Sequence, residues 1–425
     1  MSDAAHSRPD PAFQQGVAWN LASTVVLALG GFALLALLGR RYGQVGLGLF
    51  FQVWAPYVIL GQVAVGGLDR SVLRALAERE LDRRERAPIV WGALLPALVG
   101  SAVGALAFHA LAEPIAAWNR SPDVAEGVRA ASLGLFCFGL NKVLLGVVNG
   151  LRRMRAFALY QSLRYVLMPV GVLLVGWLGW PAARASFLFT FTEVLLLAVL
   201  LVELATQVAL PRTRWLAHVR GHVRYGARSM AAGVLLELNS RVDVWMLGRW
   251  VSDGAVGLYG TALQFAEGLF QILIALQNNY NPILARLWGE RRVEELHALV
   301  RRDGRRALVF MLAISLVAAA LFPVALRVLF PDQDFGESWA PFAILMAGIA
   351  LASIRLPFSQ FLLMVGRPGA HSLYMLAVVG VNVLANAALI PGLGIRGAAL
   401  GTALSFLGSV VLLRLGARLA AGVRL

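Results

Sequence analysis

Arg305-Arg306-Ala307-Leu308-Val309-Phe310-Met311-Leu312-Ala313-Ile314-Ser315-Leu316-Val317-Ala318-Ala319-Ala320-Leu321-Phe322-Pro323-Val324-Ala325-Leu326-Arg327 is the stretch that decides the class of fold. Arginines flank it, and nothing from Ala307 to Leu326 is charged. A helix rises about 1.5 Å per residue, so about 20 apolar residues cross the roughly 30 Å hydrocarbon core of a bilayer. Outward from this run the pattern recurs, with apolar runs at 17–39, 46–68, 88–112, 129–150, 157–179, 184–207, 229–250, 255–285, 307–330, 339–365, 370–390 and 397–419. Those starting at 255 and 339 are long enough to extend past the membrane. Composition agrees: of 425 residues 59% are hydrophobic and 14% charged, against about 45–50% and 25% in soluble chains. A water-soluble globule is excluded. The expectation is an all-α polytopic membrane protein with about 12 transmembrane helices.

The net charge is +15, and Lys142 is the only lysine, so 37 of the 38 basic residues are arginine. Twenty-six of these fall in alternate gaps between runs, notably Arg70 to Arg86, Arg152 to Arg155, Arg212 to Arg228 and Arg286 to Arg306; the set includes Arg8, Arg79, Arg214 and Arg424. Eight lie in the opposite gaps and three, Arg164, Arg241 and Arg355, inside runs. Basic residues near span ends face the cytoplasm, which predicts both termini cytoplasmic. Basic segments alternate with helices, and the largest, 286–306, also carries Glu290, Glu294, Glu295 and Asp303. The charge therefore reports topology and excludes nucleic acid as a partner. The lipid bilayer is the partner it implies, with anionic head groups against the basic loops. A lone cysteine, Cys137, excludes an intramolecular disulfide and a cysteine metal site. His109 has no second ligand nearby, and no metal or other cofactor is expected. Met1 to Gln15 lacks the basic start, apolar stretch and cleavage site of a signal peptide.

The chain repeats itself. Leu38-Gly39-Arg40 and Val45-Gly46-Leu47 at the end of the first run match Leu247-Gly248-Arg249 and Val256-Gly257-Leu258 at the end of the seventh. Each corner is followed by one span and a basic segment, Asp69 to Ala87 or Arg286 to Arg306. Short connections rich in small residues also correspond, Gly179-Trp180-Pro181-Ala182-Ala183 with Gly394-Ile395-Arg396-Gly397-Ala398-Ala399. This predicts two six-helix bundles, 1–210 and 229–425, joined by a basic cytoplasmic linker, 211–228. Six spans per half make the repeats parallel, with the substrate cavity expected between the bundles.

Further stretches make the chain resemble the multidrug/oligosaccharidyl-lipid/polysaccharide exporter superfamily, and within it the Wzx-type flippases of polysaccharide and O-antigen biosynthesis. They are Trp19-Asn20-Leu21, Gly66-Gly67-Leu68-Asp69-Arg70, Asn149-Gly150-Leu151-Arg152-Arg153-Met154-Arg155, Val242-Asp243-Val244-Trp245-Met246-Leu247-Gly248, Val256-Gly257-Leu258-Tyr259, Asn281-Pro282-Ile283-Leu284-Ala285-Arg286-Leu287 and Pro391-Gly392-Leu393-Gly394-Ile395-Arg396-Gly397. The resemblance covers nearly the whole chain and rests on order and spacing. It implies a MATE-like fold and a flippase, not an enzyme. Its cargo would be a polyprenyl-diphosphate-linked oligosaccharide, crossing the bacterial cytoplasmic (inner) membrane by alternating access coupled to H+ or Na+. Glycosyltransferase and polymerase components of a surface polysaccharide or lipopolysaccharide pathway are the implied partners. Many relatives have fourteen spans rather than about twelve. Lipid II flippases are less similar: they carry an extra helix pair and central arginines in their early helices, and spans 1 and 2 here contain none.

Ionisable side chains at bilayer depth cost about 2.5–3.5 kcal/mol to insert and are functional candidates by default. Arg241, Lys142, Arg164 and Arg355, with Asn141 beside Lys142, are the candidate substrate-binding residues, since a diphosphate is best held by arginine or lysine in a low-dielectric site. Asp243, Glu237, Glu193 and Glu267 are the candidate coupling carboxylates. Glu237 and Arg241 are four apart on one helical face, so a neutral structural pair is the alternative reading there. Pairing of Lys142 with Glu193 or another acid is the alternative for that residue. Pro357 and four other prolines within spans predict kinks. Trp54 and six other tryptophans suit interface belts, with Trp54 and Tyr57 also considered as sugar platforms. Two rivals follow. A cation or drug antiporter of the MATE type would prefer an acidic cavity. A membrane polymerase or ligase needs a large outer loop, and the longest here is about Glu113 to Ala125.

Overall fold

The computed structural model describes residues 11–78, 81–210 and 215–423. Arg8, Arg79, Arg212, Arg214, Arg424 and most of Met1 to Gln15 lie outside the described residues, so their part in the orientation argument stays an expectation. Every regular element described is helical. In order these are α1 (Pro11–Val65), α2 (Leu68–Ala77), α3 (Arg83–Ala110), α4 (Ala112–Asn119), α5 (Pro122–Gly150), α6 (Met154–Trp177) and α7 (Phe187–Gln207). They continue with α8 (Leu216–Leu247), α9 (Asp253–Gly289), α10 (Val293–Leu329), α11 (Trp339–Ala352), α12 (Phe361–Met364) and α13 (Pro368–Ala421). Among the described residues eight helices are long and apolar enough to cross a membrane, and nine when the pair 336–352 and 356–364, bent by 57°, counts as one span. The protein is an all-α, multi-pass membrane protein.

Two helices are double. α1 has 55 residues and α13 has 54; straight, each would reach about 80 Å, more than twice the hydrocarbon thickness. Gly43 (φ 66°) and Gly394 (φ 54°) break them in backbone conformations that favour glycine. The run read as 339–365 is not one helix either. It ends as α11 at Ala352 and restarts after Leu356-Pro357-Phe358, where proline cannot continue the ladder of hydrogen bonds. The basic segments are also more helical than their charge suggested. Residues 216–228, within the stretch read as a linker, are the first turns of α8, and 290–292 alone separate α9 from α10.

The chain forms two compact units. Unit 1 comprises the first arm of α1 to Leu37, Leu60–Leu111 and Val128–Ala231. Its central helix is α5, whose most apolar stretch is 78% buried. Val143, Leu144 and Val147 of α5 pack with Val72 of α2, Val90 of α3 and Leu196 of α7. Asp82 caps α3: its carboxylate accepts from the backbone N–H of Arg84 (2.7 Å) and Glu85 (2.8 Å), while Glu85 accepts from the Asp82 N–H (2.9 Å). At the start of α8 the buried His222 ring lies between the Ile89 carbonyl (Nε2, 3.0 Å) and the Ser71 hydroxyl (Nδ1, 2.9 Å). Burial pushes this imidazole below its ordinary pKa. It is therefore neutral, with Nε2 donating to the carbonyl and Nδ1 accepting from the hydroxyl.

Unit 2 comprises Leu38–Ile59, Ala112–Gly127 and the chain from Ala232 onward. One core cluster joins Leu284 and Leu287 of α9, Leu296 and Val300 of α10, Phe361 of α12 and Leu413 of α13. The two repeated corners meet inside this unit. A Cβ on Gly48 would stand 1.7 Å from the Asp253 carbonyl oxygen, and one on Gly257 2.0 Å from that of Gln44. Backbones approach this closely only through glycine. The Asp253 side chain is pinned in turn by Gln52 (2.7 Å) and Ser121 (2.8 Å). Gly48→Ala is expected to destabilise the protein by at least about 1–3 kcal/mol through overpacking. Gly31→Ala, whose Cβ meets nothing within 4 Å, should not lower the unfolding midpoint. Thermal unfolding of both variants in one detergent checks this.

Candidate functional site

Candidate side chains from the sequence fall into clusters that lie within single units. In unit 1, α5 supplies Phe138, Asn141 and Lys142, α6 supplies Arg164, α7 supplies Glu193, and the second arm of α1 supplies Gln62. Arg164 grips Glu193 side-on, Nε to Oε1 at 2.8 Å and Nη2 to Oε2 at 3.1 Å. Asn141, fully buried, donates from Nδ2 to the carbonyl and to Oε2 of Glu193, each at 2.8 Å. Lys142 donates to the Gln62 side chain. The Phe138 ring serves both cations, with the Arg164 guanidinium 5.2 Å and the Lys142 ammonium 5.6 Å from its centroid. Four of the candidates thus assemble in one place, and Glu193 is held by Arg164 and Asn141. Closer to the end of α7, Glu203 binds Arg153 and accepts from Tyr160 at 3.0 Å.

In unit 2, α8 carries Glu237, Asn239, Arg241 and Asp243. Arg241 pairs across helices: its Nη1 lies 3.2 Å from Glu267 Oε1 and 3.3 Å from Oε2 on α9. Helical spacing pointed to Glu237, one turn earlier, so the structural partner is corrected to Glu267. The guanidinium carbon sits 5.0 Å from the Trp54 ring centroid, and Nε is buried with no acceptor. Trp54, considered for an interface belt or a sugar platform, is thus a cation–π partner of Arg241.

Asp243 is 2% exposed and held by hydroxyls rather than by a cation. Oδ2 accepts from Tyr259 (2.5 Å) and Thr402 (3.0 Å), and Oδ1 accepts from the Val244 N–H (2.8 Å). Next to Thr402, a Cβ on Gly401 would meet Asn386 Oδ1 at 2.6 Å, and that oxygen is buried with no donor. Asn386 Nδ2 donates to Asn382 Oδ1 (2.6 Å), and Asn382 donates to the Asn239 carbonyl (2.9 Å). Carboxylate, hydroxyl and amide oxygens form the donor set that hard cations take. Sequence reasoning ranked charges above amides and so missed Tyr259, Thr402, Asn382 and Asn386. The two asparagines four apart in an apolar run were the available signal.

Arg355 stands elsewhere. It lies at the break between α11 and α12, beside Arg301, Arg305 and Arg414.

This architecture is the fold shared by transporters of the multidrug/oligosaccharidyl-lipid/polysaccharide superfamily. The chain superposes on an inward-facing multidrug resistance MATE family transporter of that superfamily over 95% of its length and 97% of the other, with a TM-score of 0.76 at 14% identity. It superposes on the lipid II flippase MurJ in an inward closed conformation over 94% and 87%, with a TM-score of 0.75 at 13% identity. A superfamily transporter from Pyrococcus furiosus gives 0.59 at 16% identity, over 96% and 94%. At such identities the likeness is one of fold. The family described as polysaccharide biosynthesis protein matches residues 13–288, and the MatE family matches 229–388. The chain belongs to the polysaccharide biosynthesis protein family. Among curated proteins no sequence match is found.

Proposed function

We propose that this protein is a Wzx-type flippase of a bacterial cytoplasmic membrane. It carries a polyprenyl-diphosphate-linked oligosaccharide to the outer leaflet by alternating access, for a surface polysaccharide or lipopolysaccharide. Glycosyltransferases make its cargo, and a polymerase consumes it. The observation that carries this reading is Arg241, a guanidinium braced on Trp54 with a buried Nε that has no acceptor. A buried donor left unmade is costly, and a diphosphate oxygen satisfies it. Lys142 and Arg164, sharing Phe138 within unit 1, are a pair of cations that also suits a diphosphate. Asp243 is the coupling carboxylate: with Tyr259, Thr402 and the orphaned Asn386 Oδ1 it fits Na+, and its proton-accepting oxygens fit H+.

A second reading has its own support. Within unit 2 the embedded groups Glu237, Asp243 and Glu267 outnumber Arg241, and this is the part matched by the MatE family; an acidic lumen suits a cation antiporter. Proteoliposomes separate the two readings. A fluorescent polyprenyl-diphosphate sugar should exchange between leaflets faster than in empty vesicles, and a lipophilic cationic dye should not be driven across. The reverse result would favour the antiporter. Asp243→Asn is expected to abolish acceleration by a Na+ or H+ gradient while leaving gradient-free exchange in place, measured in the same vesicles.

A further inference from the structure

Unit 2 holds a cavity of about 510 Å³ with four arginines in its lining, Arg301, Arg305, Arg355 and Arg414, together with His297. It lies on the side that the arginine distribution assigns to the cytoplasm. Among the described residues no carboxylate lines it. Position on α10 sorts the neighbouring charges. Arg302 and Arg306 turn to Asp303, at 2.8 Å and 3.3 Å, whereas Arg301 and Arg305, four apart, share the face that opens on the cavity.

Arg355 is the buried member, 8% exposed. Its Nη1 donates to the Ile354 carbonyl at 2.9 Å, and its Nε is buried with no acceptor. His297 Nε2 is likewise buried and unpartnered. Helix α10 approaches the break through Gly304, where a Cβ would stand 2.3 Å from the Ile354 carbonyl oxygen and 2.9 Å from Arg355 Nη1. The α10 backbone is thus packed directly against Ile354 and the Arg355 guanidinium. Like charges that converge on one cavity repel, and the fork of a guanidinium matches phosphate oxygens two at a time. The volume suits a diphosphate or a phospholipid head group better than a halide, since one water takes about 30 Å³.

We infer that this cavity is a binding site for a phosphate-bearing anion, distinct from the Arg241 and Lys142 clusters and independent of the cargo reading. Its ligand comes either from a soluble phosphate compound or from the head group of an anionic phospholipid. Bound there, the anion ties α10 and α13 to the break between α11 and α12.

The test uses the full chain, purified in a neutral detergent. In one arm, inorganic pyrophosphate is titrated calorimetrically at fixed chloride concentration. In the other, the protein is placed in nanodiscs with or without phosphatidylglycerol, and retained lipid is counted by native mass spectrometry. One saturable pyrophosphate site, weakened about 10-fold or more in Arg301→Gln/Arg305→Gln, would identify the soluble source. One phosphatidylglycerol retained by wild type and lost from that variant would identify the lipid. The two altered residues are exposed, so the change leaves folding intact. Arg355→Gln should behave alike, and Arg355→Lys should recover part of the binding. If wild type and the double variant bind both probes equally, or bind neither, the proposal is overturned.

Discussion

Arg241→Ala is expected to slow leaflet exchange of a polyprenyl-diphosphate sugar about 100-fold in proteoliposomes, because hydrogen bonds to charged groups are worth about 1.5–3 kcal/mol each and every 1.4 kcal/mol is tenfold. The geometry supplies the reason. The guanidinium spends one nitrogen on Glu267, lays its face on Trp54 and keeps a buried Nε without an acceptor. A diphosphate can take that nitrogen together with a terminal one as a fork. Arg241→Lys keeps the charge and loses the fork, so a loss of about 10-fold is expected. A merely neutralising role for Arg241 gives a different pattern. If its task were to balance Glu267, removing both groups in Arg241→Ala/Glu267→Ala would restore exchange. If it holds the cargo, the double variant stays slow. Measuring the single and double variants in matched vesicles decides between these outcomes.

The membrane class was legible because the bilayer imposes it: a run such as Ala307–Leu326 has one use in a chain of this composition. The breaks at Gly43 and Gly394 were legible as well, because they fall in the gaps between the runs 17–39 and 46–68 and between 370–390 and 397–419. What failed to read out of the sequence was polar contact between distant helices. Arg241 finds Glu267 on the next helix rather than Glu237 on its own. Asp243 finds a hydroxyl 159 residues away. Such pairs depend on the rotation of each helix about its axis, and a uniformly apolar run specifies that rotation weakly. The interruption after Ala352 was half legible. Pro357 predicted a kink, but the turn that places Arg355 against α10 also needs the bare backbone of Gly304. The helical start of α8 was hidden by its arginines, which read as a loop until His222 is seen buried between α2 and α3.

Glu193→Leu is expected to destabilise unit 1 strongly. Glu193 is 1% exposed, lies 2.8 Å from Arg164 Nε and accepts hydrogen bonds from Arg164 Nη2 and the Asn141 amide. Breaking a buried pair by removing one partner costs about 3–5 kcal/mol. For a unit of this size that corresponds to a fall of about 10 °C in the unfolding midpoint. Glu193→Gln should fall less, because a side-chain oxygen can still accept from Asn141. In Glu193→Leu/Arg164→Leu most of the loss should return, because apolar replacement of a whole buried pair is often neutral or better. Differential scanning fluorimetry of the four proteins tests this, and a double variant no more stable than Glu193→Leu would refute it. Exchange assays on the same proteins then separate folding from transport. Arg164 shares the Phe138 ring with Lys142, so a stable double variant has lost one of the two cations proposed to meet the cargo. If Arg164 serves only Glu193, that protein flips at the wild-type rate; if the pair of cations receives the diphosphate, it is stable and slow.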